Sequence, residues 1–347
     1  MTTSAMTFRS ELKERLVDFV WQQWCRLGVS GSSVGRCDRV IDPEVLLAFT
    51  SEIGRHDARL FDEVLDWLET NGSWVNTQRL SAIMKQDRIG CPKVMGAMAA
   101  WMCDRDKSMK WRGVAKRYHD NSQPTSESLF RSAPDEVMSA VEEPDAHFER
   151  YGLMREAIQT RGMTQSVNMR HPANVIFRSR ALFGINIRAD VIVYLLTAEG
   201  GHARRIAELL CFNHMRVQSV LSALANAGFV AVRTEGKTKN YWIDRERWGP
   251  VMFPNQELSP RWVSWRPLAR GLTSVWREAW NLDEARVDEY IVSSKMRVAM
   301  RQARDDLYGS GIDFDIADDS NYVAEAYLPI FERDIAGVLE AITKQSA

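Results

Sequence analysis

The sequence predicts a mainly α-helical protein with one small β element past its middle, and three observations carry that reading. Apolar residues recur at three- and four-residue spacing through most of the chain, the spacing of helices that each bury one face. Between Arg188 and Asp244 three such patterns are followed by two β-branched and aromatic runs, joined at Glu235-Gly236-Lys237-Thr238 as a hairpin. Hydrophobic residues make up 45% of 347, enough to build cores in two or three domains.

The central segment orders the rest. Ala189-Asp190-Val191-Ile192-Val193-Tyr194-Leu195-Leu196 is apolar nearly all round, as in a helix buried at the base of a small domain, and Gly200-Gly201 ends it. From His202 to Leu210 a second short helix puts Ala203, Ile206, Ala207 and Leu210 on one face, with Arg204, Arg205 and Glu208 pointing away. Cys211-Phe212 is a turn, and Asn213 caps a third helix that buries Val217, Val220, Leu221, Leu224 and Ala225. Its other face carries His214, Arg216, Gln218, Ser219 and Ser222. Gly228 closes that helix, Phe229 to Thr234 is a strand, and Lys239 to Ile243 is its returning partner.

Helix, helix, helix and basic hairpin in this order resemble the winged helix-turn-helix transcriptional regulators. The resemblance implies that the last helix lies in the major groove of duplex DNA, with the wing beside it on the phosphates. The fold expected is therefore mainly α, a central winged helix-turn-helix flanked by helical N- and C-terminal domains. Base readout then falls to Arg216, Gln218 and Ser219, with His214, Ser222 and the capping Asn213 beside them. Arginine suits guanine and glutamine suits adenine, each by a bidentate pair of hydrogen bonds. Phosphate anchoring falls to Arg204, Arg205, Lys237 and Lys239, with Arg233 and Asn240 flanking the wing. The competing reading of the same surface is protein docking.

The formal net charge is −1, so no global field attracts nucleic acid and any affinity must be local. From Arg170 to Trp248 there are twelve Lys and Arg against six Asp and Glu, which is where such a field would be concentrated.

In chain order, Glu11 to Leu27 reads as a helix broken by Gly28 to Ser33. Asp42-Pro43 starts a second helix, Gly54 stops it, and Asp57 caps a third from Ala58 to Thr70. Asp62, Glu63 and Asp66 read as that helix's wet face. Trp74-Val75 reads as a short strand-like link before helices at Thr77 to Met84 and Pro92 to Cys103. Residues 58–105 thus fit either a second, degenerate winged helix or a plain helical bundle. Lys107 to Lys116 is a basic run, read as a backbone-phosphate contact or as a solvated face.

Residues 119–147 read as a linker rich in Asn, Ser, Pro and Glu, pinned at Leu129-Phe130. Phe148 to Asn174 is an irregular approach, and Phe177 to Phe183 a helical lead-in. After the wing, Trp248 to Pro267 reads as loop. Helices then resume at Leu268 to Trp280, at Asp283 to Leu307 and from about Pro329, the last with a Phe331, Ile335, Val338, Leu339 and Ile342 stripe. That stripe suits either a homodimer contact or packing within the chain. The expected organisation is a helical domain over 1–118, the linker over 119–147, the winged helix with its lead-in over 148–248, and a helical C-terminal domain over 249–347.

Other chemistry is thinly represented. The five cysteines are scattered, with no CxxC pair, so reduced thiols are expected rather than disulfides or structural zinc. Asp313, Asp315, Asp318 and Asp319 lack the order of a calcium loop, and a solvated acidic loop is the simpler reading. No phosphate-loop, nucleophile-elbow, zinc-protease or dinucleotide glycine pattern is present. No signal peptide or apolar run of membrane-spanning length stands out, so a cytoplasmic protein is expected.

The chain as a whole resembles a group of bacterial proteins encoded next to nucleotidyltransferase-type toxins of abortive-infection systems. The resemblance rests on Ile41-Asp42-Pro43-Glu44, on Gly54-Arg55 with Arg59 to Leu68, on Leu182-Phe183-Gly184 before Arg188-Ala189-Asp190, and on Tyr327-Leu328-Pro329 with Phe331. It implies a regulator or antitoxin that represses its own operon and touches the toxin. The expectation from sequence is a dimeric, non-enzymatic regulator of double-stranded DNA with no cofactor. The alternative is an antitoxin or adaptor that uses the winged helix and helical flanks to bind a toxin or defence-protein partner.

Overall fold

The computed structural model describes residues 3–31, 37, 39–119, 126–131, 141–253, 260–282 and 288–343. Helices dominate, and one three-stranded antiparallel sheet lies past the middle of the chain.

Helix α1 (Thr3–Arg26) begins earlier than its apolar stripe predicts. Asp42 caps α2 (Pro43–Ile53) by accepting from the Glu44 and Val45 amides, with Pro43 supplying the fixed φ of a first turn. Asp57 does the same for α3 (Ala58–Asn71) through the Leu60 amide. Helices α4 (Thr77–Asp87), α5 (Pro92–Cys103) and α6 (Arg112–Tyr118) complete the N-terminal part.

Two expectations here need correcting. Trp74-Val75 is no strand: residues Gly72–Trp74 form a 3₁₀ turn, and Lys110 Nζ takes the Ser73 and Val75 carbonyls at 2.6 and 3.0 Å. Helix α5 leads into α6 rather than into a hairpin, so residues 58–105 carry no strand. Nor are Glu63 and Asp66 a wet face, at 5% and 3% exposure. The segment after residue 154 covers them. Asp66 accepts from the amides of Gly162, Met163 and Thr164, and Asp62 pairs with Arg155 at 2.6 Å.

Inside the expected linker, β1 (Glu127–Ser128) pairs in parallel with β2 (Leu153–Met154), which follows the short α7 (Ala146–Glu149). Leu129 is buried and Phe130 meets the Phe61 ring, while Arg55 donates to the Ser128 and Leu129 carbonyls, so this part of the linker is pinned as predicted. Pro124 and Pro134 lie outside the described residues, as does the expected helix start at Asp283.

The lead-in is α8 (Val175–Phe183), followed by α9 (Ile187–Thr197), β3 (Gly201–His202), α10 (Ala203–Leu210), α11 (His214–Asn226), β4 (Ala231–Glu235) and β5 (Thr238–Trp242). The loop predicted from Trp248 to Pro267 is helical at both ends: Asp244 caps α12 (Arg245–Met252), and α13 (Trp265–Trp280) begins before Leu268. Asp288 caps α14 (Glu289–Tyr308), and α15 (Leu328–Thr343) ends the described chain. The α15 stripe of Phe331, Ile335, Val338, Leu339 and Ile342 is buried, with Phe331 against Phe8 of α1 at 5.5 Å between ring centres. It is satisfied within one chain, so a second copy would need another surface.

Candidate nucleic-acid interface

The segment from α9 to β5 is built on a helix that has no solvent face beyond its first two residues. Asn186 caps α9, and Ala189 to Thr197 are all buried. After it the chain turns through Gly200 into Gly201, the first residue of β3. Gly200 takes φ +88°, and a Cβ there would stand 2.3 Å from the Tyr241 carbonyl, so glycine lets β3 close on β5. The sheet order is β3-β5-β4, with Val232 opposite Tyr241, Arg233 opposite Asn240 and Thr234 opposite Lys239. At the hairpin tip only Gly236 has positive φ, the pattern of a type II′ turn.

Helix α10 starts at an unforeseen cap: His202 Nδ1 accepts from the Arg205 amide. Cys211, at φ 59° and ψ 47°, supplies the left-handed residue that ends α10 and turns the chain. Burial pushes its thiol pKa up, so it is held as the neutral thiol of a core residue. Asn213 then caps α11, its Oδ1 accepting from the Met215 and Arg216 amides. That carbonyl oxygen is engaged by the backbone, so Asn213 positions the start of α11.

Helix α11 packs on α9 and α10 through Val217, Leu221 and Leu224 and leaves its far side to solvent. His214, Arg216 and Ser219 are exposed as predicted, and Ser222 is half-buried. Gln218 is also half-buried: its Nε2 donates to Tyr241 Oη at 2.8 Å and lies 3.4 Å from Ser222 Oγ. A bidentate adenine contact needs the amide N–H and C=O together, and here the Gln218 amide nitrogen is engaged within the protein. Met215, 63% exposed, was missed because it is apolar. Stepping 3.6 residues per turn from Val217 and Leu221 places it at the crest, beside Ser219, with Arg216 and Gln218 on opposite flanks.

The wing residues divide by the two-residue alternation of a strand. Tyr241 faces α11, so Val232, Thr234 and Lys239 share that face. Arg233 and Asn240 lie on the other, where both hold Glu235, at 3.2 and 3.4 Å. Among the described residues Lys237, Lys239, Arg205 and Arg216 have no ion-pair partner, whereas Arg204 sits 3.3 Å from Glu208 in an exposed i,i+4 pair of little energetic weight.

The residues that hold this unit in place were not anticipated. Arg79 Nε donates to the Leu210 carbonyl at 2.8 Å and Arg266 donates to that of Glu208, so two guanidiniums occupy the carbonyl end of α10. Arg79 also binds Asp42 and Glu44, both at 2.7 Å. Arg180 of α8 binds Glu44 at 2.6 Å, Asp190 of α9 at 3.1 Å and the Trp74 carbonyl at 2.9 Å. All five side chains are almost wholly buried. The signal that points to them is Asp190 itself: a carboxylate in a helix with no wet face requires a buried cation. The acidic loop is different again, with Asp319 on Arg301 at 2.7 Å and Asp318 capping a 3₁₀ turn, and no group of three metal-ligating side chains forms among the described residues. In comparisons with protein-family models, curated proteins and solved structures, nothing matches this chain.

Proposed function

We propose that residues 187–243 form a winged helix-turn-helix unit that binds duplex DNA, with α11 in the major groove and the β4–β5 wing on the adjacent backbone. One observation carries the reading: α11 leaves Arg216 and Ser219 exposed, with His214 exposed at its first residue, and the hairpin beside it carries Lys237 and Lys239 without carboxylate partners among the described residues. Arg216 takes a guanine edge and Met215 contacts a thymine methyl, a contact that apolar side chains make. Lys237, Lys239 and Arg205 neutralise phosphate. The role that goes with this is regulation of transcription. The resemblance of the whole chain narrows it to a repressor of its own operon in a bacterial defence system.

Docking of a partner protein is favoured by a separate observation, the 63% exposure of Met215 and 45% exposure of Val232. The two readings part in one experiment. Fluorescence anisotropy of a labelled mixed-sequence duplex is followed against salt for the wild type and for Arg216→Ala/Lys237→Ala/Lys239→Ala. DNA binding predicts salt-dependent affinity that the triple variant loses. No binding by the wild type at low salt, or equal binding by both, rejects it.

A further inference from the structure

Tyr241 lies in the middle strand of the small sheet, 2% exposed, and its hydroxyl meets Gln218 Nε2 at 2.8 Å. Gln218 is one full turn before Ser222 on α11, whose Oγ lies on the same amide nitrogen at 3.4 Å. The other side-chain amide near the start of α11, Asn213, is committed to the cap. Both amides that would distinguish adenine are therefore occupied by the protein. A bidentate adenine contact requires the amide N–H and C=O together at N7 and N6. Turning Gln218 outward would strip Tyr241 of the only hydrogen-bond partner its hydroxyl has among the described residues, and a buried polar group without a partner is costly.

Resting on the proposal that α11 enters a DNA groove, we infer that Tyr241 is a specificity-determining positioning residue: it withholds Gln218 from the bases and leaves base choice to Arg216, His214 and Ser219. The preferred site then contains a guanine set by Arg216 and no adenine set by Gln218. Removing the hydroxyl frees the amide and adds a base preference without adding a residue.

The test is selection of bound sequences from a randomised duplex library by the full chain, as wild type, Gln218→Ala, Tyr241→Phe and the double variant. The wild type and Gln218→Ala should recover the same motif. Tyr241→Phe should gain an adenine preference of about tenfold at one position, and the double variant should lose it. A merely structural role for Tyr241 would lower recovery at every position alike and leave the motif unchanged, which overturns the inference. So does a changed motif in Gln218→Ala, a comparison that decides the matter alone if Tyr241→Phe fails to fold. Where the wild type recovers a motif and these outcomes fail, only the inference falls. Where it recovers none, DNA binding falls with it.

Discussion

Arg180 and Arg216 carry the same guanidinium in opposite settings. Arg180 is fully buried and binds two carboxylates and a carbonyl from three different elements. Arg216 is exposed and has no ion-pair partner among the described residues. The difference shows what a net charge of −1 conceals. Asp42, Glu44, Asp66, Asp87 and Asp190 are spent in the interior on arginines or backbone amides, so they contribute little to the field outside. The exposed surface around α11 keeps cations whose countercharges are elsewhere. One set of arginines ties the unit to the N-terminal helices, and the other is exposed to solvent.

Breaking the interior set should cost most. Arg180→Met leaves Glu44 and Asp190 short of countercharge in the core and should destabilise the chain by about 3–5 kcal/mol, read from urea unfolding. A loss under about 1 kcal/mol would make the Arg180 ion pairs with Glu44 and Asp190 incidental contacts. The interior should also titrate. His56 is wedged against the Trp276 and Trp280 rings at 4.8 and 4.4 Å, and burial lowers its pKa from 6.5 to about 4. Its contribution is fully present above pH 6.5 and is lost as pH falls to 4, roughly 3 kcal/mol in all.

Burial raises Glu44, but Arg180 and Arg79 outweigh that and hold it at about 2, so a second loss runs from pH 4.5 downward. Asp190, raised by burial, opposes this second limb because it favours the fold in its protonated form. Unfolding midpoints measured against pH should show the upper limb in the wild type and not in His56→Phe. A flat profile between pH 6.5 and 4 would contradict the burial argument.

The exposed set should behave in the opposite manner, leaving stability within about 0.5 kcal/mol while binding changes. Arg216→Ala should relax discrimination at one guanine by about 1–3 kcal/mol, measured by competition between duplexes that differ at that base. The smallest effect is expected from Lys237→Ala/Lys239→Ala. It should weaken all sequences alike and flatten the log–log salt slope by roughly 0.9 for each phosphate no longer neutralised. A slope unchanged in that variant would take the wing off the DNA.

Much of the fold was legible because caps and turns are local. Asp42-Pro43, Asp57, Asn213 and Gly236 each act within a few residues of themselves, and the helices and hairpin they bound lie close to where the sequence puts them. What was not legible depends on partners far along the chain. Gln218 looked unengaged because Tyr241, which its amide meets, lies 23 residues away across the hairpin. Asp66 looked solvated because the amides it holds are 96 to 98 residues distant. Strand β3 was hidden for a third reason: a two-residue strand that begins on the second glycine of a pair carries no alternation to detect.

The central claim is that DNA lies on α11 and the wing and nowhere else, and lysine reactivity tests it most directly. The full chain is labelled with an amine reagent with and without a saturating mixed-sequence duplex, and each lysine is quantified by mass spectrometry. Lys237 and Lys239 should be protected, while Lys85, Lys107 and Lys116, also exposed, keep their reactivity. Protection of Lys107 and Lys116 with the wing lysines unchanged would move the binding surface to the N-terminal helices and contradict the account.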